Sequence, residues 1–255
     1  MKKILVFITI LASINSCQLK ENPLKDIFKG NSKKENKTSD NESVVIKSYY
    51  EKSKALKSEI TVKNKKKNGP AKKYYPTGEL HTLVNYVDNV KVGETVWYYK
   101  NGQPYRVTPY VNGKIDGIRK IYYENGKLQA EIPYKNGELV EGTKEYNSKG
   151  KLISDKTKII FETVDLMKFE SKYILKMKLS KKARSVEFMQ EETSIAGTKI
   201  LLPVKTNVSG TGKIEYTMPP GSFKMSILKI YAKYTTKLGN PVLISSSYNL
   251  AIENR

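Results

Sequence analysis

The stretch Gly117-Ile118-Arg119-Lys120-Ile121-Tyr122-Tyr123-Glu124-Asn125-Gly126-Lys127-Leu128-Gln129-Ala130-Glu131-Ile132-Pro133-Tyr134 decides the fold. Its first seven residues alternate and are rich in strand formers, which suit a pleated, half-buried surface. Glu124 to Lys127 is a turn, because Asn-Gly accepts the positive φ that a type I′ hairpin requires. Leu128 to Tyr134 is the return strand. Pro133 has no amide hydrogen to give to a ladder, so it is expected at a sheet edge or a bulge. Lys135-Asn136-Gly137 then turns into the next unit. The unit is a β-hairpin.

The hairpin recurs every 24 residues. Tyr74-Tyr75, Tyr98-Tyr99 and Tyr122-Tyr123 keep one phase, as do Tyr86, Tyr110 and Tyr134. Gly78, Gly102, Gly126 and Gly150 mark the turns, and Gly69, Gly93 and Gly117 open each unit, with Gly142 one residue late. A weaker copy begins at Tyr49-Tyr50. One such hairpin cannot bury its apolar face, but stacked copies can. Residues 44–154 are therefore expected to form an elongated antiparallel sheet of about four repeats. Of the two tyrosine columns (Tyr74, Tyr98, Tyr122 and Tyr75, Tyr99, Tyr123), one is expected to pack inward. The other should form an exposed ladder, flanked by Lys72 and Lys120, that offers a partner-binding surface. The plainer alternative is that both columns merely cover the sheet.

The pattern Gly-x-x-x-x-Tyr-Tyr-x-x-Gly-x-Leu, closed by Tyr-x-Asn-Gly, resembles the variant class of MORN repeats. That resemblance implies a β-hairpin sheet with turn glycines at Gly78, Gly102 and Gly126 and strand aromatics at Tyr74, Tyr98 and Tyr122. It also implies a binding scaffold, although some proteins with these repeats carry an antitoxin label. His81 and Pro104 depart from the usual Lys and Leu.

After Ser154 the rhythm stops and Asn-Gly pairs vanish. Alternating runs follow at 173–179, 185–189, 199–206, 212–217, 223–234 and 242–250, punctuated by Pro219-Pro220-Gly221 and Leu238-Gly239-Asn240-Pro241. Six or seven strands in this space predict a β-sandwich over 155–255. Gly239-Asn240-Pro241-Val242, before the last strand, resembles the end of bacterial immunoglobulin-like modules, which implies that the sandwich is Ig-like. The fold class is all-β throughout.

The chain opens Met-Lys-Lys, continues with an apolar run from Ile4 to Ile14, and reaches Asn15-Ser16-Cys17. A basic start and a short apolar run read as an export signal over 1–16. The run is too short to span a bilayer as a helix, which takes about 20 residues. Ile14-Asn15-Ser16-Cys17 resembles the lipobox of bacterial lipoproteins, which implies acylation of Cys17, with palmitate among the chains. Gln18 stands where an inner-membrane retention signal would place Asp, so the expected location is the outer membrane of a bacterial envelope. Residues 17–43, rich in Lys, Asn, Ser and Glu, read as a lipid-anchored flexible tether. As a coil such a leash spans roughly 28 Å.

Composition narrows the chemistry. The 255 residues carry 46 Lys+Arg against 25 Asp+Glu, a net charge of +21, with one Cys and one His. One Cys excludes an intramolecular disulfide and a Cys-based zinc site, and one His excludes a His-rich metal site. No P-loop, nucleotide-binding, nucleophile-elbow or zinc-protease motif occurs. His81 would have to serve any hydrolytic triad from inside a repeat strand. Glu191 and Glu192, adjacent in a strand, point to opposite faces. Neither catalysis nor a cofactor nor a metal is expected. The runs Lys63-Asn64-Lys65-Lys66-Lys67 and Lys181-Lys182-Ala183-Arg184 suit anionic lipid or polysaccharide better than nucleic acid, at about 1 kcal/mol per Lys near a charged membrane. Solvated surface is the simpler account of them. These readings converge on a non-enzymatic envelope lipoprotein that binds or scaffolds a protein partner in an envelope or secretion assembly. An immunity or antitoxin-like protein is the alternative, and a hydrolase ranks last.

Overall fold

The computed structural model describes residues 42–255. The signal segment 1–16, Cys17 and nearly all of the tether lie outside the described residues. The repeat region forms one antiparallel meander of β1 (Val44–Tyr49), β2 (Leu56–Lys63), β3 (Lys66–Tyr74), β4 (Leu80–Val87), β5 (Val90–Tyr98) and β6 (Pro104–Val111). It continues through β7 (Lys114–Ile115), β8 (Gly117–Tyr122), β9 (Leu128–Lys135), β10 (Glu138–Leu139), β11 (Lys144–Tyr146) and β12 (Leu152–Ile153). The expected hairpin sheet is what forms.

The meander has two kinds of turn, one at each end of the strands. Asn112-Gly113 (φ 49° and 78°) and Asn136-Gly137 (φ 50° and 93°) are both left-handed, the type I′ signature. Asp88-Asn89 and Asn64-Lys65 adopt the same geometry without glycine. The short polar side chains of Asn and Asp tolerate it, whereas Lys65 has no such advantage. The opposite end differs from expectation. At Gly102 and Gly126 only the glycine is left-handed (φ 83° and 77°), while Asn101 and Asn125 are not. Gly102 N donates to Tyr99 O at 3.0 Å and Tyr99 N to Gln103 O at 2.8 Å, closing a three-residue loop. The register shifts at Trp97/Tyr98, as a glycine bulge requires. The Asn101 side chain instead accepts from Gln103 N at 3.0 Å, so its role is to hold the loop rather than to supply a second positive φ.

Pro133 lies beside an irregularity, as expected, and Pro109 repeats the arrangement one unit earlier. Their carbonyls accept from Asp116 N (3.2 Å) and Val140 N (3.1 Å). Those donors lie at the breaks between β7 and β8 and between β10 and β11. A residue's N and O point to the same neighbour in an antiparallel ladder, so each missing N–H faces the place where the neighbouring strand is interrupted.

The C-terminal region holds β13 (Ile159–Leu166), a single helical turn α1 (Met167–Glu170), β14 (Lys172–Leu179), β15 (Arg184–Thr193), β16 (Lys199–Val204), β17 (Gly212–Thr217), β18 (Phe223–Thr235) and β19 (Pro241–Glu253). Three strands in the order β13-β14-β17 and four in the order β16-β15-β18-β19 make two antiparallel sheets. Tyr173, Leu175 and Met177 of the first meet Phe188, Ile230, Ala232 and Leu250 of the second in one buried core. The pairing is consistent with an Ig-like arrangement, with β16 joined to β15. β13 escaped the sequence reading because it is an edge strand in which only Ile159 is buried. The last repeat and the connection that follows it meet the sandwich sheets through polar contacts. Glu145 accepts from Thr236 Oγ1 and Asn240 Nδ2, both at 2.6 Å. Thr143 Oγ1 donates to Pro241 O at 3.1 Å, and Tyr234 OH to Asp155 at 2.7 Å.

Candidate ligand-binding face

Register divides the repeat sheet into two chemically distinct faces. Opposed residues in antiparallel strands share a face. On one face Glu59, Lys72, Leu83, Val96, Val107, Lys120, Glu131 and Lys144 are successive partners. Tyr74 OH donates to Glu59 and Tyr146 OH to Glu131, each at 2.9 Å, and Lys47 lies 3.5 Å from Glu59. The hydrogen bond from Tyr74, ahead of the nearby lysines, holds the Glu59 carboxyl below its ordinary range. Glu59 and Glu131 therefore have donors within the protein.

The other face lacks carboxylates over β2–β9. Its central row runs Ser58, Lys73, Thr82, Trp97, Arg106, Ile121, Ala130 and reaches Glu145 only at the sandwich junction. The Arg106 guanidinium lies 3.9 Å from the Trp97 ring centroid, and that of Arg119 lies 4.6 Å from Tyr134. Lys67 sits 5.2 Å over Tyr86 and Lys91 5.0 Å over Tyr110. Such cation–ring contacts contribute roughly 0.5–1 kcal/mol each at exposed sites.

The repeat chemistry explains this aromatic column. Tyr86, Tyr110 and Tyr134 stand opposite Gly69, Gly93 and Gly117. A glycine has no side chain to compete for the space above it, so each ring has room across its strand partner. Burial, then the neighbouring Tyr110, raises the Tyr86 hydroxyl above its ordinary pKa. Next to this column a groove of about 400 Å³ opens on β2–β5, with Ile60, Ala71 and Val84 against Tyr86, Trp97 and Lys73. A larger groove of about 660 Å³ lies on the sandwich, where Lys178 pairs with Glu162 and Lys213 with Glu215, beside Lys176 and Lys205. It has no aromatic side chain in its lining.

The six tyrosines expected to form one buried and one exposed column take different places. All are half-buried. Tyr75 OH donates to Tyr98 O at 2.7 Å, Tyr99 OH to Tyr122 O at 2.8 Å and Tyr123 OH to Tyr146 O at 2.8 Å. Tyr50 OH repeats the contact onto Tyr74 O at 2.7 Å. Each second tyrosine thus staples its hairpin to the next, and no freely exposed ladder results. Tyr74, Tyr98 and Tyr122 lie on the acid-bearing face. The turn residues Gly78, Gly102, Gly126 and Gly150 are all left-handed. His81 contacts Thr82 at 2.7 Å and packs against Tyr75. Burial, then Lys73, lowers its pKa. No cluster of metal-ligating side chains occurs among the described residues.

Trp97, Arg106 and Arg119 were not singled out from the sequence. The available signal was rarity: the chain has one Trp and is dominated by Lys, and two of its few arginines fall in neighbouring repeat strands. Which face they share needs the register.

Comparison with known families places residues 67–88, 91–112 and 115–136 on the model of the MORN repeat variant. Repeats of this kind generally serve as scaffolds that bind proteins or lipids. No curated protein matches the chain.

Proposed function

We propose that this protein is a non-enzymatic binding scaffold, held at a bacterial envelope membrane by an acylated Cys17, whose aromatic and cationic sheet face engages an acidic protein partner. The observation that carries this reading is the segregation of charge across a single sheet. Over β2–β9 the strand carboxylates sit on one face, where Glu59 and Glu131 meet tyrosine donors. Trp97, Tyr86, Tyr110 and Tyr134 share the other with Lys67, Lys91, Arg106 and Arg119. A sheet surface rich in Tyr, Trp and Arg has the composition of interface centres, and its charge complements an acidic partner and steers its approach. The MORN-type repeats support the scaffold role, and the export-like start of the chain supports the anchor.

Photo-crosslinking tests the surface. A crosslinker at Tyr110 should give one discrete protein adduct in envelope preparations, whereas one at Leu83, on the other face, should give none. Equal adducts from both positions would defeat the assignment. For the anchor, Cys17→Ala should remain an unprocessed precursor that takes up no labelled fatty acid.

A further inference from the structure

The centre of the aromatic face is polar in a way its surroundings do not satisfy. Nε of Arg106 and Nε of Arg119 are buried and have no hydrogen-bond partner. Arg119 Nη1 reaches Tyr134 OH at 3.0 Å, but among the described residues no carboxylate pairs with either guanidinium. The Oγ1 atoms of Thr95 and Thr108, direct cross-strand partners in the same sheet region, are also buried and unpartnered. Leaving a buried donor unsatisfied is unfavourable, the more so when it is charged. Burial first, then the charge of Arg119, lowers the Arg106 pKa.

We infer that Arg106 and Arg119 form a socket for a carboxylate borne by an extended acidic segment of the partner protein. The inference rests on the reading of this face as the partner surface and names the group it grips. The side-chain chemistry selects the ligand class. A guanidinium carries several N–H donors in a fixed plane, which suits a planar, two-oxygen anion. Trp97 lies against Arg106 and Tyr134 against Arg119. The adjoining groove over Ile60, Ala71 and Val84 offers apolar contact to the residues beside that carboxylate.

Trp97, the only tryptophan in the chain, touches Arg106 and so reports on the socket through its fluorescence. The full chain is titrated with a hexaglutamate peptide, and separately with inorganic phosphate and with phosphatidylcholine vesicles containing phosphatidylglycerol. Hexaglutamate should give a saturable change in Trp97 emission. Arg106→Gln and Arg119→Gln should each weaken its binding at least tenfold. Arg106→Lys, which keeps the charge but loses the fork, should recover less than half of that loss. Lys72→Gln and Lys120→Gln, on the opposite face, should leave affinity within twofold. Circular dichroism and melting confirm that each variant is folded, and Arg119→Lys stands in if Arg119→Gln is not. Equal weakening by the Lys72→Gln and Arg106→Gln changes would reduce the effect to net charge and overturn the socket. Arg-dependent binding of the vesicles or of phosphate in place of hexaglutamate would overturn it as well. The broader reading fails separately: Arg-dependent hexaglutamate binding, together with crosslinks from Leu83 rather than Tyr110, would keep the socket and remove the partner surface.

Discussion

The repeat sheet and the sandwich reach stability by opposite routes. The sandwich closes two sheets on a shared core, in which Leu175, Met177, Phe188, Ile230 and Leu250 are at most 2% exposed. The sheet is one layer, and among its described residues only Val62, Thr82, Thr95, Thr108, Ala130 and Ile132 are buried. Its cohesion is local instead. Tyrosine staples link each hairpin to the next, and Asn101 and Asn125 reach the carbonyls of Glu124 and Ser148 one repeat on, at 3.1 and 3.2 Å. A layered core is cooperative, because each residue touches many others. A row of hairpins depends on nearest neighbours. That difference leaves the sheet's second face free for chemistry that a core would exclude.

The sharpest way to break this comparison is a truncation in the sandwich. Leu175→Ala removes a fully buried side chain and should destabilise by about 3–4 kcal/mol in urea melts. Amide exchange should quicken through 159–253 while the strands of 56–122 keep their protection. Loss of protection in both regions together would show that the junction couples them into one unit.

The turn glycines give the next effect. Gly126→Val and Gly102→Val each force a β-branched residue to a left-handed φ and should cost about 1–3 kcal/mol. A Cβ at Gly102 meets open space, whereas at Gly126 it lies 3.2 Å from Gln103 Oε1. Similar losses at both sites would assign the effect to backbone strain, and a larger loss at Gly126 would show that Gln103 cannot yield.

A smaller change tests the staples. Tyr99→Phe leaves the ring and removes the donor to Tyr122 O, and should cost about 1 kcal/mol. Exchange should quicken locally in 117–134, with the sandwich unaffected.

The smallest expected effect is a pH dependence at the junction. Burial works to raise the Asp155 pKa, but hydrogen bonds from Thr157 and Tyr234 outweigh it and leave it lowered. A lowered folded-state pKa stabilises above the ordinary value of 3.8. That stability disappears as pH falls through the folded value. Tyr234 is raised, by burial first and by Asp155 next. Its contribution is whole below the ordinary 10.0 and is lost as pH rises beyond it. Tyr234→Phe should therefore flatten the acid limb of a stability–pH curve. An unchanged limb would assign the acid sensitivity elsewhere.

Much of the repeat architecture was legible because its chemistry is local. An Asn-Gly pair, an alternating strand and a proline that cannot donate each act within a few residues of themselves. Repetition at fixed phase then multiplies a weak local signal into a clear one. The sandwich strands were legible one by one from alternation, except for β13, an edge strand with little to bury. The three-residue loop was not recognised in the sandwich. There its glycine, at Gly197, Gly210 and Gly239, follows Ala, Ser and Leu rather than Asn, although the hydrogen bonds are the same.

The amino-acid sequence by itself determined that this is an all-β chain with a hairpin array followed by a second module, and where most of its turns fall. Those properties depend on residues near one another along the chain. The tertiary structure alone decided which residues share a face. A bulge of one residue reverses the direction of every side chain beyond it, and each repeat contains such shifts. Alternation counted along the chain also implied an exposed ladder, whereas Tyr75, Tyr99 and Tyr123 lie just past the ends of their strands and reach carbonyls of the next hairpin. It also could not place Trp97, Arg106 and Arg119 together, because their neighbourhood is created by cross-strand register and not by spacing in sequence.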